Sequence, residues 1–366
     1  MTTRRNFLGA SAALLAGAAL PSGATSRARQ SVSPAREPLD LLFLGGTGFI
    51  GPHQIEYALA RGHRVSMFNR GSKSGLYGDR VEELTGDRDP QVGDGLAALE
   101  GNRPWDAVID NSGYVPRHVR ASAELLKDRV GRYLFTSTVA VYDYEAQGSV
   151  DRNGPLLAAP DPPTERVTST SYGPLKAQAE GIVNEVYGVR ATIVRPCYIV
   201  GPGDTTDRFT YWVDRLHRGG DVVCPALPDN EAQWIDVRDL CPWLIRLVEN
   251  GTAGAFNGVG PTSKVTNQQL MWGLRAFTAA PTTLHWPSAD LVDELKYPTP
   301  MFDWGRVDRH TDASFAIDAG LTHRSLAETA RDTQAWWLSQ SDERRASPRR
   351  WPSAEQEAAM IERLRE

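Results

Sequence analysis

Residues 39–51 read Leu-Asp-Leu-Leu-Phe-Leu-Gly-Gly-Thr-Gly-Phe-Ile-Gly and decide the fold. An apolar strand runs into a glycine loop, and a helical stretch begins directly after it. Gly45 permits a tight turn, Gly48 lets backbone N–H groups approach a pyrophosphate, and Gly51 lets the helix pack on the strand. The positive end of that helix points at the phosphates. The sequence therefore predicts that the chain binds a dinucleotide.

Strands and helices alternate along the chain that follows. Predicted strands cover 64–68, 81–84, 105–110, 132–138 and 191–194, and predicted helices cover 54–61, 119–130 and 172–187. This alternation predicts an α/β fold with a Rossmann-type, doubly wound parallel sheet. Because the pattern loosens beyond Arg195, we expect a smaller C-terminal substrate lobe. The predicted division is a dinucleotide-binding domain over 38–195 with a return segment near 234–260, and a substrate-binding lobe over 196–233 and 261–366.

The first 30 residues have the pattern of a targeting segment. Arg4 and Arg5 precede an apolar run over 7–20, and a stretch of small polar residues follows. The run is too short for a membrane span, so residues 1–30 are predicted to be a signal peptide, and the paired arginines resemble the twin-arginine type. We therefore expect an exported protein, periplasmic or extracellular. An ordinary secretory signal and a disordered tail are the alternatives.

Composition narrows the classes of partner. The 366 residues are 41% hydrophobic and 23% charged, which is typical of a globular protein. A net charge of −5 gives no sign of a nucleic-acid-binding surface, and no segment predicts a stable membrane span. The three cysteines and seven histidines lack metal-ligand spacing, so no metal site is expected.

Tyr172 and Lys176 carry the clearest chemical signal. They lie four residues apart, on one face of a predicted helix. An ammonium beside a phenol is expected to lower the pKa of the phenol, so that it can exchange a proton with a substrate hydroxyl. With 11 tyrosines and five lysines in the chain, this spacing arises by chance only about 0.15 times. A surface Tyr–Lys pair is the structural alternative.

The predicted strand before this helix ends in three hydroxyl residues, Thr136, Ser137 and Thr138. The carboxyl end of a strand is where open α/β sheets bind their ligands. A hydroxyl there could hydrogen-bond the reacting oxygen beside Tyr172. Ordinary strand-end polar residues are the alternative.

Together these motifs resemble the extended short-chain dehydrogenase/reductases, and within them the NAD-dependent epimerase/dehydratase family. Further segments similar to that family are Val194–Gly203 (VRPCYIVGPG), Trp234–Leu240 (WIDVRDL) and the tail over 312–336. The resemblance covers nearly everything from residue 39 to about residue 337.

The resemblance implies a catalytic triad of Thr138, Tyr172 and Lys176, in which Lys176 also binds the nicotinamide ribose. It implies a substrate-binding role for Arg208, although solvated surface is an equal alternative for a lone arginine. The residues expected to bind the cofactor are Gly45, Thr47, Gly48, Phe49, Ile50, Gly51, Asn69, Arg70, Asp87, Asn111, Lys176, Pro196 and Ile199.

Two segments depart from the family pattern. Where many NAD-using relatives have a carboxylate, this chain has Asn69 followed by Arg70 and Lys73, which suits a 2′-phosphate and slightly favours NADP over NAD. In the alternative, Asn69 alone serves NAD. Residues 110–114 (Asp-Asn-Ser-Gly-Tyr) replace the usual histidine and alanines, so the substrate is left open.

We expect a redox-neutral epimerase or dehydratase acting on a small sugar or polyol through tightly bound NAD(P), because an exported enzyme has no dependable pool of free cofactor. One alternative is an NAD(P)H-dependent carbonyl reductase, which needs the same triad. A non-catalytic binding module is the third hypothesis. A homodimer is a family expectation.

Overall fold

The computed structural model describes residues 32–301 and 309–366, so the predicted signal peptide over 1–30 lies outside the described residues. Residues Ser33–Glu366 form one compact unit. The strands are β1 (Asp40–Leu44), β2 (Arg64–Asn69), β3 (Glu82–Thr85), β4 (Trp105–Asp110), β5 (Val130–Thr136), β6 (Ser149–Val150), β7 (Ala191–Pro196), β8 (Tyr198–Val200), β9 (Gly220–Val223), β10 (Trp234–Asp236), β11 (Gly254–Gly258), β12 (Thr282–His285) and β13 (His310–Thr311). The helices are α1 (Ile50–Ala60), α2 (Pro116–Leu126), α3 (Tyr172–Tyr187), α4 (Arg208–Arg218), α5 (Val237–Glu249), α6 (Asn267–Arg275), α7 (Ala289–Glu294), α8 (Ser314–Asp318), α9 (Leu326–Leu338), α10 (Asp342–Ala346) and α11 (Ala354–Arg363).

Seven strands form one parallel sheet in the order β11-β7-β5-β4-β1-β2-β3. The last residue of β1, Leu44, pairs with Phe68 of β2 on one side and with Asp110 of β4 on the other. The strand order reverses at β1, and such a switch point opens a crevice at the carboxyl ends of the strands. The predicted Rossmann-type, doubly wound parallel sheet is confirmed.

The sheet is covered by helices on both faces, because successive residues of a strand point to opposite sides. In β1, Phe43 packs in the cluster that includes Ile55 of α1 and Leu244 of α5. Its neighbour Leu42 packs in the opposite cluster, which includes Val119 of α2 and Val183 of α3. Helix α3, which carries Tyr172, is thereby fixed beside the sheet.

Several predicted boundaries are shifted. The helix predicted over 54–61 begins four residues earlier, at Ile50. The helix predicted over 119–130 begins at Pro116, because proline in the first turn lacks only an N–H that has no partner there, and it ends at Leu126. The strand predicted over 132–138 starts two residues earlier, since Val130 already pairs with Trp105, and it ends at Thr136, so Ser137 and Thr138 lie just beyond it. Helix α3 has the bounds that the sequence predicts.

Outside the large sheet, three two-stranded parallel pairs join β8 to β10, β9 to β12 and β6 to β13. Helices α4, α6 and α9 enclose a separate apolar cluster that includes Trp212, Leu270 and Ala330. The predicted domain division stays a prediction. None of the helices in the described part of the chain is long and apolar enough to cross a membrane.

Candidate active site

The glycine loop between β1 and α1 has a backbone that requires glycine. Gly45 has a φ of +79°, a left-handed conformation that costs little only without a Cβ. A Cβ at Gly51 would lie 2.3 Å from the carbonyl oxygen of Gly46, whereas a Cβ at Gly48 would meet no atom within 4 Å. The loop is therefore closed where α1 packs on it and open at Gly48, as a phosphate-binding turn must be.

The side chains around this loop leave the start of α1 accessible. The carbonyl oxygen of Thr47 accepts a hydrogen bond of 3.0 Å from Lys73 Nζ. The Phe49 ring packs edge-on against His53, with ring centroids 6.2 Å apart. Helix α1 begins at Ile50, with no capping side chain and no acidic residue in its first turn. Its first N–H groups are suited to an anion.

A chain of contacts leads from the glycine loop to Lys176. The Ser112 hydroxyl donates to the Leu44 carbonyl oxygen at 3.0 Å, and a Cβ at Gly45 would lie 3.0 Å from the Ser112 Cβ. The next residue, Gly113, accepts a hydrogen bond of 2.9 Å from Lys176 Nζ through its carbonyl oxygen. The predicted lysine and the glycine turn thus lie at the same edge of the sheet.

Two of the three predicted strand-end hydroxyls are engaged within the protein. Thr136 Oγ1 donates to Asn111 Oδ1 at 2.9 Å. The Ser137 hydroxyl donates to Glu180, which is buried and pairs with Arg195 at 2.6 Å. Ser137 therefore belongs to a buried ionic network that joins β5, α3 and β7.

Thr138 is the strand-end hydroxyl that meets the predicted base. Its side chain lies near the Tyr172 hydroxyl and acts to lower the pKa of Tyr172, against the larger effect of burial. Thr138 Oγ1 also accepts the Ala140 N–H at 3.2 Å, which fixes the turn after β5. The structure brings together Thr138, Tyr172 and Lys176, the last two because both lie on α3.

The sequence led us to expect that Lys176 lowers the pKa of Tyr172, and this expectation is wrong, because the pKa is raised. Burial raises the pKa of Tyr172 to about 12, and neighbouring Tyr114 adds to the increase. The neighbouring Thr138 side chain and the positive charge of Arg208 act against this increase. The Lys176 ammonium instead donates to backbone carbonyl oxygens, to that of Gly113 and, at 2.7 Å, to that of Thr136.

Lys176 is fully enclosed, and burial lowers its pKa to about 8, although the charge of Asp110 raises it. Its ammonium lies 4.0 Å from the centroid of the Phe135 ring. Asp110 in turn pairs with Arg88 at 2.7 Å and accepts the Tyr133 hydroxyl at 2.7 Å. Asp110, the last residue of β4, and Arg88, in the loop after β3, thus form an enclosed ion pair whose carboxylate acts on Lys176.

Sequence reasoning missed Tyr114 and the Arg88–Asp110 pair. The Tyr114 ring is 48% exposed, 6.3 Å from the Tyr172 ring and 5.5 Å from Lys176 Nζ. Asp110 ends one predicted strand and Arg88 follows another, and ligand sites form at such ends. In the sequence, the signal for this ion pair was two residues of opposite charge near the ends of predicted strands.

At the other end of the crevice, Asn69 ends β2 and Asp87 follows β3. Asn69 Oδ1 accepts the Gly71 N–H at 2.5 Å, and the buried Asn69 Nδ2 atom has no partner among the described residues. Asp87 Oδ1 accepts the Asp89 N–H at 2.9 Å. Arg70 is exposed at the turn between them.

Asn111 is predicted to bind the cofactor, but both polar atoms of its side chain already form hydrogen bonds within the protein. Its Nδ2 donates to Gln54 Oε1 at 2.6 Å, while its Oδ1 accepts from Thr136. Gln54 is fully buried, and its own Nε2 has no partner within residues 32–301 and 309–366. Asn111 therefore links α1, β4 and β5 below the crevice.

Pro196 and Ile199 begin a segment that runs from the large sheet to α1. Pro196 ends β7, and Ile199 pairs with Ile235 in the small β8–β10 sheet. The segment reaches α1 at His53, whose Nε2 lies 3.1 Å from the Pro202 carbonyl oxygen. Arg208 follows as the first residue of α4, and its charge acts on Tyr172.

A dinucleotide fits this crevice on three observations. In the part of the chain that the structure describes, the loop is open at Gly48, α1 begins without an acidic side chain, and the buried Asn69 Nδ2 lacks a partner. Phosphates at the start of a helix and a polar group after β2 are what dinucleotide binding requires. Within the described residues, no cluster of His, Cys, Asp and Glu could hold a metal ion.

Known proteins resemble this chain along most of its length. The chain is 25% identical over 229 residues to the chloroplast stem-loop binding protein of 41 kDa b of Arabidopsis thaliana, over 58% of this chain and 56% of that relative. It is 22% identical over 341 residues to dTDP-glucose 4,6-dehydratase of Streptomyces niveus, over 84% of this chain and 98% of that one.

A solved structure shares the fold. The Bordetella bronchiseptica enzyme WbmG, in complex with NAD, matches with a TM-score of 0.61 and 17% identity, over 83% of this chain and 96% of that one. The sequence profile of one family matches residues 41–258, more than half of the chain. The chain belongs to the NAD dependent epimerase/dehydratase family.

Proposed function

We propose that the protein is a redox-neutral epimerase or dehydratase that acts on a hydroxyl group of a sugar or polyol. The observation that carries the proposal is the meeting of Thr138, Tyr172 and Lys176 at the sheet edge that also bears the glycine loop. A phenol, a hydroxyl and an ammonium beside a dinucleotide crevice can move a proton on and off a substrate oxygen.

Each residue has a distinct task. Tyr172 exchanges a proton with the substrate hydroxyl, and the neighbouring Thr138 side chain orients the phenol. Lys176 ties α3 to the ends of β4 and β5 through the Gly113 and Thr136 carbonyl oxygens. The fixed ammonium keeps positive charge below the reacting groups. Bound NAD supplies the hydride acceptor.

We propose NAD as the working cofactor. The Asn69 Nδ2 atom is a buried donor at the position after β2 where a ribose hydroxyl is bound in this fold. Lys73 is one of the two cations that favour NADP in the sequence, but its ammonium already donates to the Thr47 carbonyl oxygen. The family is NAD dependent, and WbmG was solved with NAD. The slight preference for NADP stays a prediction that these relatives do not support.

We further propose that the protein works outside the cytoplasm and retains its cofactor. Arg4 and Arg5 support export in the folded state. A cofactor that is reduced and reoxidised within one turnover needs no external supply, which suits an exported enzyme.

The test begins with the protein purified from its natural host, since the proposal predicts a retained dinucleotide. Mass spectrometry of the ligand released on denaturation should identify NAD in near-stoichiometric amount. Incubation with sugars and polyols in deuterated water should give an epimer or a dehydrated product without net formation of NADH.

Two results would contradict the proposal. NADH consumed in proportion to a reduced ketone or aldehyde would indicate a carbonyl reductase. A Tyr172→Phe variant with the full biological effect of the wild type would indicate a binding protein. The control variant is Tyr57→Phe, because Tyr57 lies on the far part of α1, away from the triad.

A further inference from the structure

Tyr114 presents an exposed aromatic ring beside Tyr172. Of the 11 tyrosines, all of which lie in the described part of the chain, Tyr114 is the most accessible, at 48% exposed. Its ring centroid lies 6.3 Å from that of Tyr172, and the two ring planes are inclined by 36°. An isolated exposed aromatic side chain needs no explanation, but ligand pockets are lined by aromatic rings next to a few polar groups. The position of Tyr114 is therefore that of a ligand contact.

The backbone that carries Tyr114 is held from several sides. The carbonyl oxygen of the preceding residue, Gly113, accepts the hydrogen bond of 2.9 Å from Lys176 Nζ. A Cβ at Gly113 would lie 2.5 Å from the Phe135 ring, so the backbone packs directly on a side chain of β5. The Tyr114 N–H donates to the Ser112 carbonyl oxygen at 3.1 Å, and α2 begins two residues further on. Because the ring is carried on a fixed turn, a ligand that packs on it has little chain motion left to stop.

The cation next to Tyr114 is already engaged within the protein. Lys176 Nζ lies 5.5 Å from the centroid of the Tyr114 ring and 4.0 Å from that of the Phe135 ring. It donates hydrogen bonds to the carbonyl oxygens of Gly113 and Thr136. The group that remains for a ligand is thus the Tyr114 ring itself. The face of an aromatic ring is electron-rich, and it attracts polarised C–H groups such as those next to oxygen atoms.

The shape of the ligand decides how well it can use such a surface. A closed sugar ring presents several polarised C–H groups together on one rigid face. An open-chain polyol must first freeze several single bonds to do the same, which costs conformational entropy. A sugar ring that lies flat on Tyr114 directs the hydroxyl groups of its rim sideways, and the neighbouring aromatic residue on that side is Tyr172.

We propose that Tyr114 is the stacking surface for the closed ring of the substrate, so that the protein prefers cyclic sugars to open-chain polyols. The inference rests on the proposed function, which leaves sugar and polyol open, and it adds a specificity-determining residue. Tyr114 belongs to the segment over 110–114 in which the sequence departs from the family pattern. Its ring holds one face of the substrate while Tyr172 exchanges the proton.

The test applies saturation-transfer difference NMR to the full chain loaded with NAD, because this method detects the ligand protons that lie closest to the protein. The probes are methyl β-D-galactopyranoside, methyl β-D-glucopyranoside and the open-chain galactitol. At least one pyranoside should bind about threefold or more tightly than galactitol, with transfer strongest to the C–H protons of one ring face. Absence of transfer to both pyranosides, or equal binding of galactitol, would overturn the proposal.

Tyr114→Leu should weaken the pyranoside about 3- to 10-fold, and Tyr114→Phe, which keeps the ring, should bind it as the wild type does. Trp272→Leu is the matched control, because Trp272 is about as exposed but lies on α6, which packs against α4 and α9. Thermal unfolding checks that the variants fold. A folded Tyr114→Leu protein with wild-type affinity contradicts the inference, as does a comparable loss in Trp272→Leu or in Tyr114→Phe.

Titration with NADH separates stacking of the substrate from stacking of the nicotinamide. Tyr114→Leu should bind NADH with the affinity of the wild type. If it loses as much affinity for NADH as for the pyranoside, the ring contacts the cofactor and the proposal is wrong.

A Tyr172→Phe variant separates this inference from the proposed function. It should bind the pyranoside as the wild type does and turn nothing over. If the wild-type protein converts open-chain polyols as readily as cyclic sugars and Tyr114→Leu does not alter this, the inference fails and the proposed function stands. If no sugar is converted but binding of the pyranoside depends on the Tyr114 ring, the proposed function fails and the inference stands.

Discussion

Lys176 Nζ donates a hydrogen bond of 2.7 Å to the carbonyl oxygen of Thr136, the last residue of β5. The helix that carries Tyr172 is thus fastened to the strand that leads to Thr138. The sheet edge and the helix cannot shift against each other without breaking a bond of a buried cation, which is costly to leave unpaired.

Gly48→Ala and Gly51→Ala should act differently. A Cβ at Gly48 meets open space, so this variant should unfold at the wild-type temperature and bind NADH more weakly, because the methyl group occupies the pyrophosphate side of the turn. A Cβ at Gly51 meets the Gly46 carbonyl oxygen at 2.3 Å, so this variant should be destabilised as well. Thermal unfolding and NADH fluorescence titration check both. Equal melting temperatures would contradict the packing of α1.

Tyr172→Phe should lower kcat by about 100- to 10,000-fold, the usual contribution of a positioned acid or base. Binding of NADH should be retained, since no dinucleotide contact is removed. Tyr114→Phe is the matched control, with its ring centroid 6.3 Å from that of Tyr172. Steady-state kinetics with an identified substrate measures both variants. Comparable losses in the two would mean that aromatic packing, and not the Tyr172 hydroxyl, supports turnover.

The free energy of unfolding should rise with pH between about 8 and 10.5 through Lys176. Burial lowers the pKa of this lysine from 10.5 to about 8, so in this window the unfolded chain holds the proton that the native protein has released. The protonated form costs native stability below pH 8, by about 3 kcal/mol from the pKa difference. Urea denaturation at several pH values, with Lys176→Met subtracted, isolates the effect.

In this experiment Asp110→Asn is the companion variant. Asp110 raises the pKa of Lys176, so its loss should extend the window to lower pH. A difference between wild type and Lys176→Met that is flat from pH 8 to 10.5 would refute the burial of a titrating ammonium.

Glu180→Gln should lower the free energy of unfolding by about 3–5 kcal/mol, because it leaves the buried Arg195 uncompensated. Glu185→Gln on the same helix is the control. Its pair with Arg120 is exposed, and no resolvable change is expected. Chemical denaturation measures both. If the two variants lose equal stability, the Ser137–Glu180–Arg195 network is not the buried support described here.

Arg70→Ala should weaken NADP and leave NAD unchanged. Arg70 is exposed, whereas Asn69 beside it offers a buried Nδ2 to a ribose hydroxyl. Loss of an exposed cation removes attraction for a 2′-phosphate alone. Titrations with both reduced cofactors test this. A parallel loss for NAD would mean that Arg70 contacts a group common to the two cofactors.

The fold was predictable because its signals are local. Glycines at 45, 48 and 51 act within one turn, and the spacing of Tyr172 and Lys176 is a property of a single helix. The shifted start of β5 depends on Trp105 as the partner of Val130, which the neighbouring sequence does not contain. Boundaries of this kind are decided by tertiary pairing.

The electrostatics of the site could not be predicted from neighbours in sequence. The pKa of Tyr172 is set by burial, and burial depends on which elements close over it. Ser137 looks equivalent to Thr138 in the sequence. In the structure the Ser137 hydroxyl donates a hydrogen bond to Glu180, which lies 43 positions further along the chain. Long-range partners such as these decide which strand-end hydroxyl is left for chemistry.

Strand β11 enters the sheet at Gly254, after the chain has already built α4, α5 and three outer strands. During synthesis, one edge of β7 therefore has no partner strand until β11 has been made, at residue 258. Unpaired edges of this kind invite pairing with other chains. A fragment cut after Pro196 would keep the glycine loop and the ends of β2 and β4 yet lose Ile199 and expose that edge, so the nucleotide half of this protein is a poor candidate for excision as a stand-alone module.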